Sequence, residues 1–131
     1  MFVRIATKAA PAIAAVALLA AGCGDGGTED SAGTAEPGDP AAGQQLYADY
    51  CGACHGRDFE GSIQGPSHLD EHFAPGTTSD EDYRRAIRNG TDGSAFDFGR
   101  MPAITSLDDQ QVEDVIAYIR SVQEERGFND S

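Results

Sequence analysis

The chain has 131 residues, 40% hydrophobic and 24% charged, with 16 Gly and no Trp. That is one modest domain with room for appendages, and it excludes collagen-like, multi-pass membrane and wholly disordered chains. Nine basic residues face 22 acidic ones, a formal net charge of -13, so phosphate would repel the chain and nucleic acid is excluded as a partner. Three cysteines, an odd number, do not fit a simple disulfide framework.

The N-terminus reads as an export signal. Arg4 and Lys8 supply a positive start, and residues 9–21 are a 13-residue uncharged run broken only by Pro11. A membrane-spanning helix needs ~20 apolar residues, so this length suits the apolar stretch of a signal peptide over residues 1–22. The rival is a buried core helix, against which stands the abrupt change to GDGGTEDSAG after Cys23. Leu18-Leu19-Ala20-Ala21-Gly22-Cys23 resembles the lipobox of bacterial lipoproteins, departing at Ala20, where that family usually has Leu. The resemblance implies cleavage before Cys23 and lipidation of it. A plain A-x-A-type cut, with Cys23 a stray thiol, is the alternative. Processing would leave 7 basic residues, all Arg, against 22 acidic ones. With Cys23 as its lipidated end, residues 23–39 form the next segment. Residues 24–39 hold no large apolar side chain and read as a flexible acidic tether, about 20–25 Å end to end.

Residues 40–131 are the expected folded domain. The first helix opens with Asp39 as N-cap and Pro40 at N1 and runs to about Cys51. Gly43, Leu46, Tyr47, Tyr50 and Cys51 share one face. The second is capped by Ser79 with Asp82 three residues on, carries Arg84, Arg85 and Arg88 toward its end, and closes at Asn89-Gly90. The third starts at Ser106, with Asp108 and Asp109 in its first turn. Val112, Val115, Ile116, Ile119 and Val122 recur along it at helical spacing, and Gly127 lies beyond its end. No stretch shows sustained strand alternation. The expected fold is all-α with long loops. Its core is thin, because residues 56–79 are rich in Gly and Pro, so a cofactor is expected to fill the middle.

Cys51-Gly52-Ala53-Cys54-His55 is the c-type haem attachment pattern. Two thiols three residues apart at a helix end can reach both vinyl groups on one haem edge, and the adjacent imidazole can then turn under the ring to bind iron. A thioredoxin-like dithiol lacks a βαβ setting here, and half a zinc site lacks a second Cys or His pair at ligand spacing. For the sixth ligand, Met101 in Gly99-Arg100-Met101-Pro102 is the sole methionine after processing. Its bland alternative is gap-filling in the core. A thioether favours ferrous iron and raises the potential. His68 and His72 compete for the position, but they lie 13 and 17 residues after His55 and are read as solvated loop side chains near the proximal side.

With these residues assembled, the domain resembles a monohaem class I cytochrome c of the compact bacterial type. Gly43, Tyr47 and Cys51 match the family's first helix, where the Gly allows close crossing with the C-terminal helix. Val115-Ile116-Ala117-Tyr118-Ile119 matches the apolar-aromatic signature of that partner helix. Ile87-Arg88-Asn89-Gly90 and Met101-Pro102 are also family-like. The resemblance implies three main helices and long loops around one covalent haem c. It also implies that the Pro66 carbonyl accepts a hydrogen bond from the proximal His55. The chain departs in having no Trp near a propionate, where Arg100 or a Tyr could substitute, and no Lys ring around the haem edge.

A haem iron ligated by both His55 and Met101 has no open position, so the expected role is a one-electron carrier and not an enzyme. It would be lipid-anchored at the outer face of the cell membrane or in the periplasm. Its partners would be a donor complex and a terminal oxidase or reductase. Two alternatives remain: a haem-c subunit fixed in a larger membrane oxidoreductase, and a haem-based ligand sensor from which Met101 dissociates. Residues 41–131 carry 7 Arg and 17 acidic residues; the bland reading is that these only keep the domain soluble, and the sharper expectation is a redox partner with a basic docking surface.

Overall fold

A computed structural model describes residues 35–128. The expected signal peptide, the lipidation site Cys23 and the tether up to residue 34 lie outside the described residues. Four helices occur in order: α1 (Pro40–Tyr50), α2 (Gly52–His55), α3 (Asp80–Asn89) and α4 (Asp109–Glu125), with a 3-10 turn at Glu71–Phe73. No strand forms among the described residues; Ser62 with Gly65, and Thr91 with Met101, make isolated antiparallel bridges. The all-α expectation holds.

Helix α1 starts where its cap directs. The Asp39 side chain accepts a hydrogen bond from the Ala41 amide at 2.9 Å, and Pro40 occupies the first turn, where a missing N–H costs nothing. The helix has no broad apolar stripe. Only Gly43 and Tyr47, one turn apart, are buried. Tyr50, expected on the buried face, is 43% exposed. The burial comes from how closely α1 crosses α4. A Cβ at Gly43 would lie 1.9 Å from the Asp114 carbonyl oxygen and 2.8 Å from the Tyr118 Cβ, and one at Gly38 would lie 2.1 Å from the Glu113 carbonyl oxygen. Backbone therefore rests on backbone. The crossing is also pinned by polar groups: the Asp114 carboxylate accepts from the Asp39 amide at 2.8 Å and from Gln110 Nε2 at 3.1 Å.

Helix α3 opens with a full capping box. The Ser79 hydroxyl accepts from the Asp82 amide at 3.2 Å, and the Asp82 carboxylate accepts from the Ser79 amide at 3.0 Å. Such a cap is worth about 0.5–2 kcal/mol. Asp80, Glu81 and Asp82 sit at the positive end of the helix dipole. The helix is tied to α4 by Arg84, whose Nε and Nη2 meet the two oxygens of Glu113 at 2.5 and 2.8 Å.

Helix α4 begins at Asp109, later than the sequence expectation of Ser106. Asp108 is its N-cap, in a capping box with Gln111. An Asp with Gln at N3 satisfies two orphan amides at once, which outcompetes the earlier Ser. Val112, Val115, Ile116 and Ile119 are each at most 2% exposed and form the floor of the core with Tyr47, Phe59, Tyr83, Ile87 and Leu107. The thin stretch 56–79 contributes more core than its composition suggests. Phe59 is buried and stacks on Tyr47 with ring centroids 4.2 Å apart, held there with a left-handed φ of 66°.

Candidate functional site

The C-x-x-C-H residues lie on a single helical turn. Cys51 caps α1 through its amide to the Tyr47 carbonyl at 2.8 Å and also starts α2, where its carbonyl accepts from Cys54 at 3.1 Å and His55 at 2.9 Å. Spacings of three and four put Cys51, Cys54 and His55 on one face. Gly56, at φ 81°, then turns the chain out of the helix. The following loop folds back under His55. Gly61 donates its amide to the His55 carbonyl at 2.8 Å, the Ser62 hydroxyl donates to the Cys54 carbonyl at 2.6 Å, and Ser62 pairs with Gly65. A Cβ at Gly65 would meet the Cys54 carbonyl oxygen at 2.9 Å and the His55 Cε1 at 3.2 Å, so a glycine there lets the backbone lie against the imidazole. This contact delivers the Pro66 carbonyl oxygen to His55 Nδ1 at 2.9 Å.

These groups line one cleft of about 480 Å³, within the range of small-molecule and cofactor sites. Cys51, Cys54 and His55 form one part of its wall and Met101 another, with Ile87, Val115 and Ile119 supplying apolar surface. Met101 is held by its loop: its carbonyl accepts from the Thr91 amide at 2.9 Å, and its side chain packs against the core. A larger, more open groove of about 750 Å³ lies beside Asp80, Arg84 and Arg120. It is rich in charge and contains none of the candidate residues.

Burial, and then the neighbouring Cys54, pushes the free Cys51 thiol up to about 12. Such a thiol is protonated at neutral pH until a bound group takes up its sulfur. Burial lowers the His55 imidazole pKa, opposed by the Pro66 hydrogen bond. A neutral imidazole with Nδ1–H fixed on a carbonyl presents Nε2 as a ligand.

The two competing histidines part company. His72 is exposed, pairs with Asp70 at 2.7 Å and is not among the residues lining the cleft. His68 is the correction to the solvated-loop expectation: it is 6% exposed and its ring lies 4.3 Å from that of His55. Rings that close cannot sandwich a metal in a macrocycle between them, so the structure removes both histidines as candidates opposite His55. Gln123, wholly buried, was also missed. Its signal is the four-three-four spacing from Val112 through Ile116 and Ile119, which reaches Gln123 and not Val122.

Residues 40–123 match the cytochrome c family. The chain belongs to the cytochrome c family. Membership brings covalently attached haem c, and the Cys51–Cys54 spacing is that of its attachment motif. Among solved structures, the chain is similar to the c-type cytochrome XoxG from Methylobacterium extorquens AM1, with 23% identity and a TM-score of 0.51 over 64% of this chain and 50% of that one. It is also similar to the Kuenenia stuttgartiensis reducing HAO-like protein complex Kustc0457/Kustc0458, with 21% identity and a TM-score of 0.50 over 73% and 48%. The chain thus spans about half the length of each, and the likeness is one of fold. A comparison with curated proteins gave no match. The residues present fit the cofactor: a paired thiol turn, a carbonyl-anchored imidazole and a thioether share one largely apolar cleft. Haem-based electron transfer is the chemistry this family and fold support.

Proposed function

We propose that this cytochrome is a one-electron carrier with a single haem c, bound through Cys51 and Cys54 and ligated by His55 and Met101. The observation that carries this reading is that all four side chains line the same cleft. Bound haem supplies a one-electron couple. The protein's share is to hold two axial ligands, keep water out with Ile87, Val115 and Ile119, and fix the His55 tautomer through Pro66. With both axial positions taken there is no open site for substrate, so the protein is a carrier and not an enzyme. Redox cycling with full occupancy of one haem per chain, and no carbon monoxide binding to the reduced protein at neutral pH, is the expected result. Carbon monoxide binding by the wild type would support a ligand sensor instead.

A second reading, a haem subunit fixed in a larger complex, is favoured by a specific feature. Tyr50, Ile63 and Phe98, the exposed large hydrophobics of the described residues, all border the cleft. Ionic strength separates the two readings. The acidic excess persists across the domain, and four arginines are occupied by carboxylates: Arg84 by Glu81 and Glu113, Arg85 by Asp82, Arg88 by Asp109 and Arg120 by Asp80. A shuttling carrier with a basic partner therefore reacts faster at low salt. Small cationic oxidants outpace anionic ones, and the gap closes once screening shortens the reach to about 8 Å. A rate with the native partner that is flat or rises with salt would instead mean apolar docking through the rim, as in a fixed subunit.

The domain spanning residues 40–131 is proposed to hang from a lipid on Cys23 by the acidic segment 23–39, whose last residues, Glu36, Gly38 and Asp39, rest on α4 instead of forming free tether, after removal of residues 1–22, at the outer face of the cell membrane. No helix among the described residues is long and apolar enough to cross a membrane. Cys23→Ser is expected to move the protein from the membrane fraction to the soluble one with its haem spectrum intact. Wild type recovered soluble, without lipid and starting at another residue would refute the anchor.

A further inference from the structure

His68 occupies a seat built from three parts of the fold. Its backbone carbonyl accepts from Gln123 Nε2 at 2.8 Å, and the same amide donates to the Phe73 carbonyl at 2.9 Å. Arg120 in turn donates to the Gln123 side-chain Oε1 at 2.7 Å and to the Phe73 backbone carbonyl at 3.0 Å, and is itself paired with Asp80 at 2.8 Å. The ring Nδ1 lies 3.3 Å from the Tyr83 hydroxyl on α3. Tyr47 and Phe73 present their edges or faces to the ring at 5.9 and 5.3 Å. Burial, then the neighbouring His55 and Arg120, hold the imidazole pKa well below the usual histidine range.

Burying a polar ring and supplying it with partners costs more than filling the same space with an aliphatic side chain. What the ring adds is a flat face. It lies against the His55 imidazole at 4.3 Å, tilted by 31°. The Pro66 hydrogen bond restrains His55 at Nδ1 alone, and hydrogen bonds to a carbonyl tolerate a broad range of directions. A rigidly seated plane limits the remaining tilt from one side.

We propose that His68 is a positioning residue for the His55 imidazole, setting the plane in which His55 meets its ligand. This rests on the reading that His55 is an axial ligand of haem iron. Tyr83, Gln123 and Arg120 act through His68, as the frame that keeps its ring from turning.

The test uses the full-length oxidised haem protein and two variants that preserve volume differently: His68→Phe, which keeps a flat ring, and His68→Leu, which does not. Proton NMR of the haem methyl groups reports the orientation of the axial imidazole plane, and the midpoint potential is measured alongside. His68→Phe is expected to keep the wild-type order of methyl shifts. His68→Leu is expected to change that order and shift the potential, with haem content unchanged. A Leu variant with the wild-type pattern, or a Phe variant altered as much as the Leu variant, would overturn the proposal while leaving His55 ligation intact. If the wild type itself shows no iron-bound imidazole, the ligation reading fails and the proposal fails with it.

Discussion

Gly43→Val is expected to leave no stable folded protein. A valine needs its Cβ where the Asp114 carbonyl oxygen already stands, 1.9 Å away, and the obstacle is backbone in the middle of α4. Rotamer changes cannot relieve it, so α1 must lift off. Lifting α1 removes Tyr47 from its stack with Phe59 and breaks the Asp39–Asp114 hydrogen bond. The cost exceeds about 4 kcal/mol, at the extreme of single substitutions, against a total stability of about 5–15 kcal/mol. Even Gly43→Ala carries the offending Cβ and should destabilise strongly. The control is Gly76→Ala, where a Cβ meets nothing within 4 Å and the change should stay within about 0.5 kcal/mol. Denaturant unfolding of the Ala variants makes the comparison. Equal midpoints would contradict the close α1–α4 crossing.

Met101→Ala is expected to change the redox centre while sparing the fold. The Met101 loop is held by backbone, through the Thr91 amide on the Met101 carbonyl and the close approach of Gly90 to the same carbonyl, so trimming the side chain leaves the loop anchored. The thioether is the softer of the proposed ligands and stabilises ferrous iron. Its loss should lower the midpoint potential by on the order of 0.1 V, within the roughly 0.8 V that axial ligands command. The weak near-infrared sulfur-to-iron band should vanish and carbon monoxide should gain access to the reduced iron. A variant with band and potential unchanged would remove Met101 from the ligand set. Because His68 lies against His55, and His72 is exposed, paired with Asp70 and not among the residues lining the cleft, neither could take its place without rearrangement.

Local signals carried much of this fold. Asp39-Pro40 and Ser79 with Asp82 mark helix starts because a cap is chemistry between residues two or three apart, and both sit where the side chains say. The C-x-x-C-H turn is equally local, and its three side chains do share one face. One failure was also local, the start of α4, where Asp108 with Gln111 and not Ser106 makes the cap; the others arose where the deciding partner lies far along the chain. His68 looked like a loop histidine because its seat comes from Gln123, 55 residues later. Gln123 carries no local signal beyond its helical spacing, yet its side chain serves the His68 and Phe73 carbonyls from the buried stripe of α4. Tyr50 was placed inward by helical spacing, but α1 buries only a narrow strip and the Tyr50 side chain borders the cleft.

If Cys51 and Cys54 hold the haem covalently, extraction with acidified organic solvent will not remove it. Haem should stay with the denatured polypeptide of the wild type, and replacing both cysteines with alanine should leave none attached. Haem that leaves the wild-type chain completely under those conditions would rule out thioether attachment at Cys51 and Cys54.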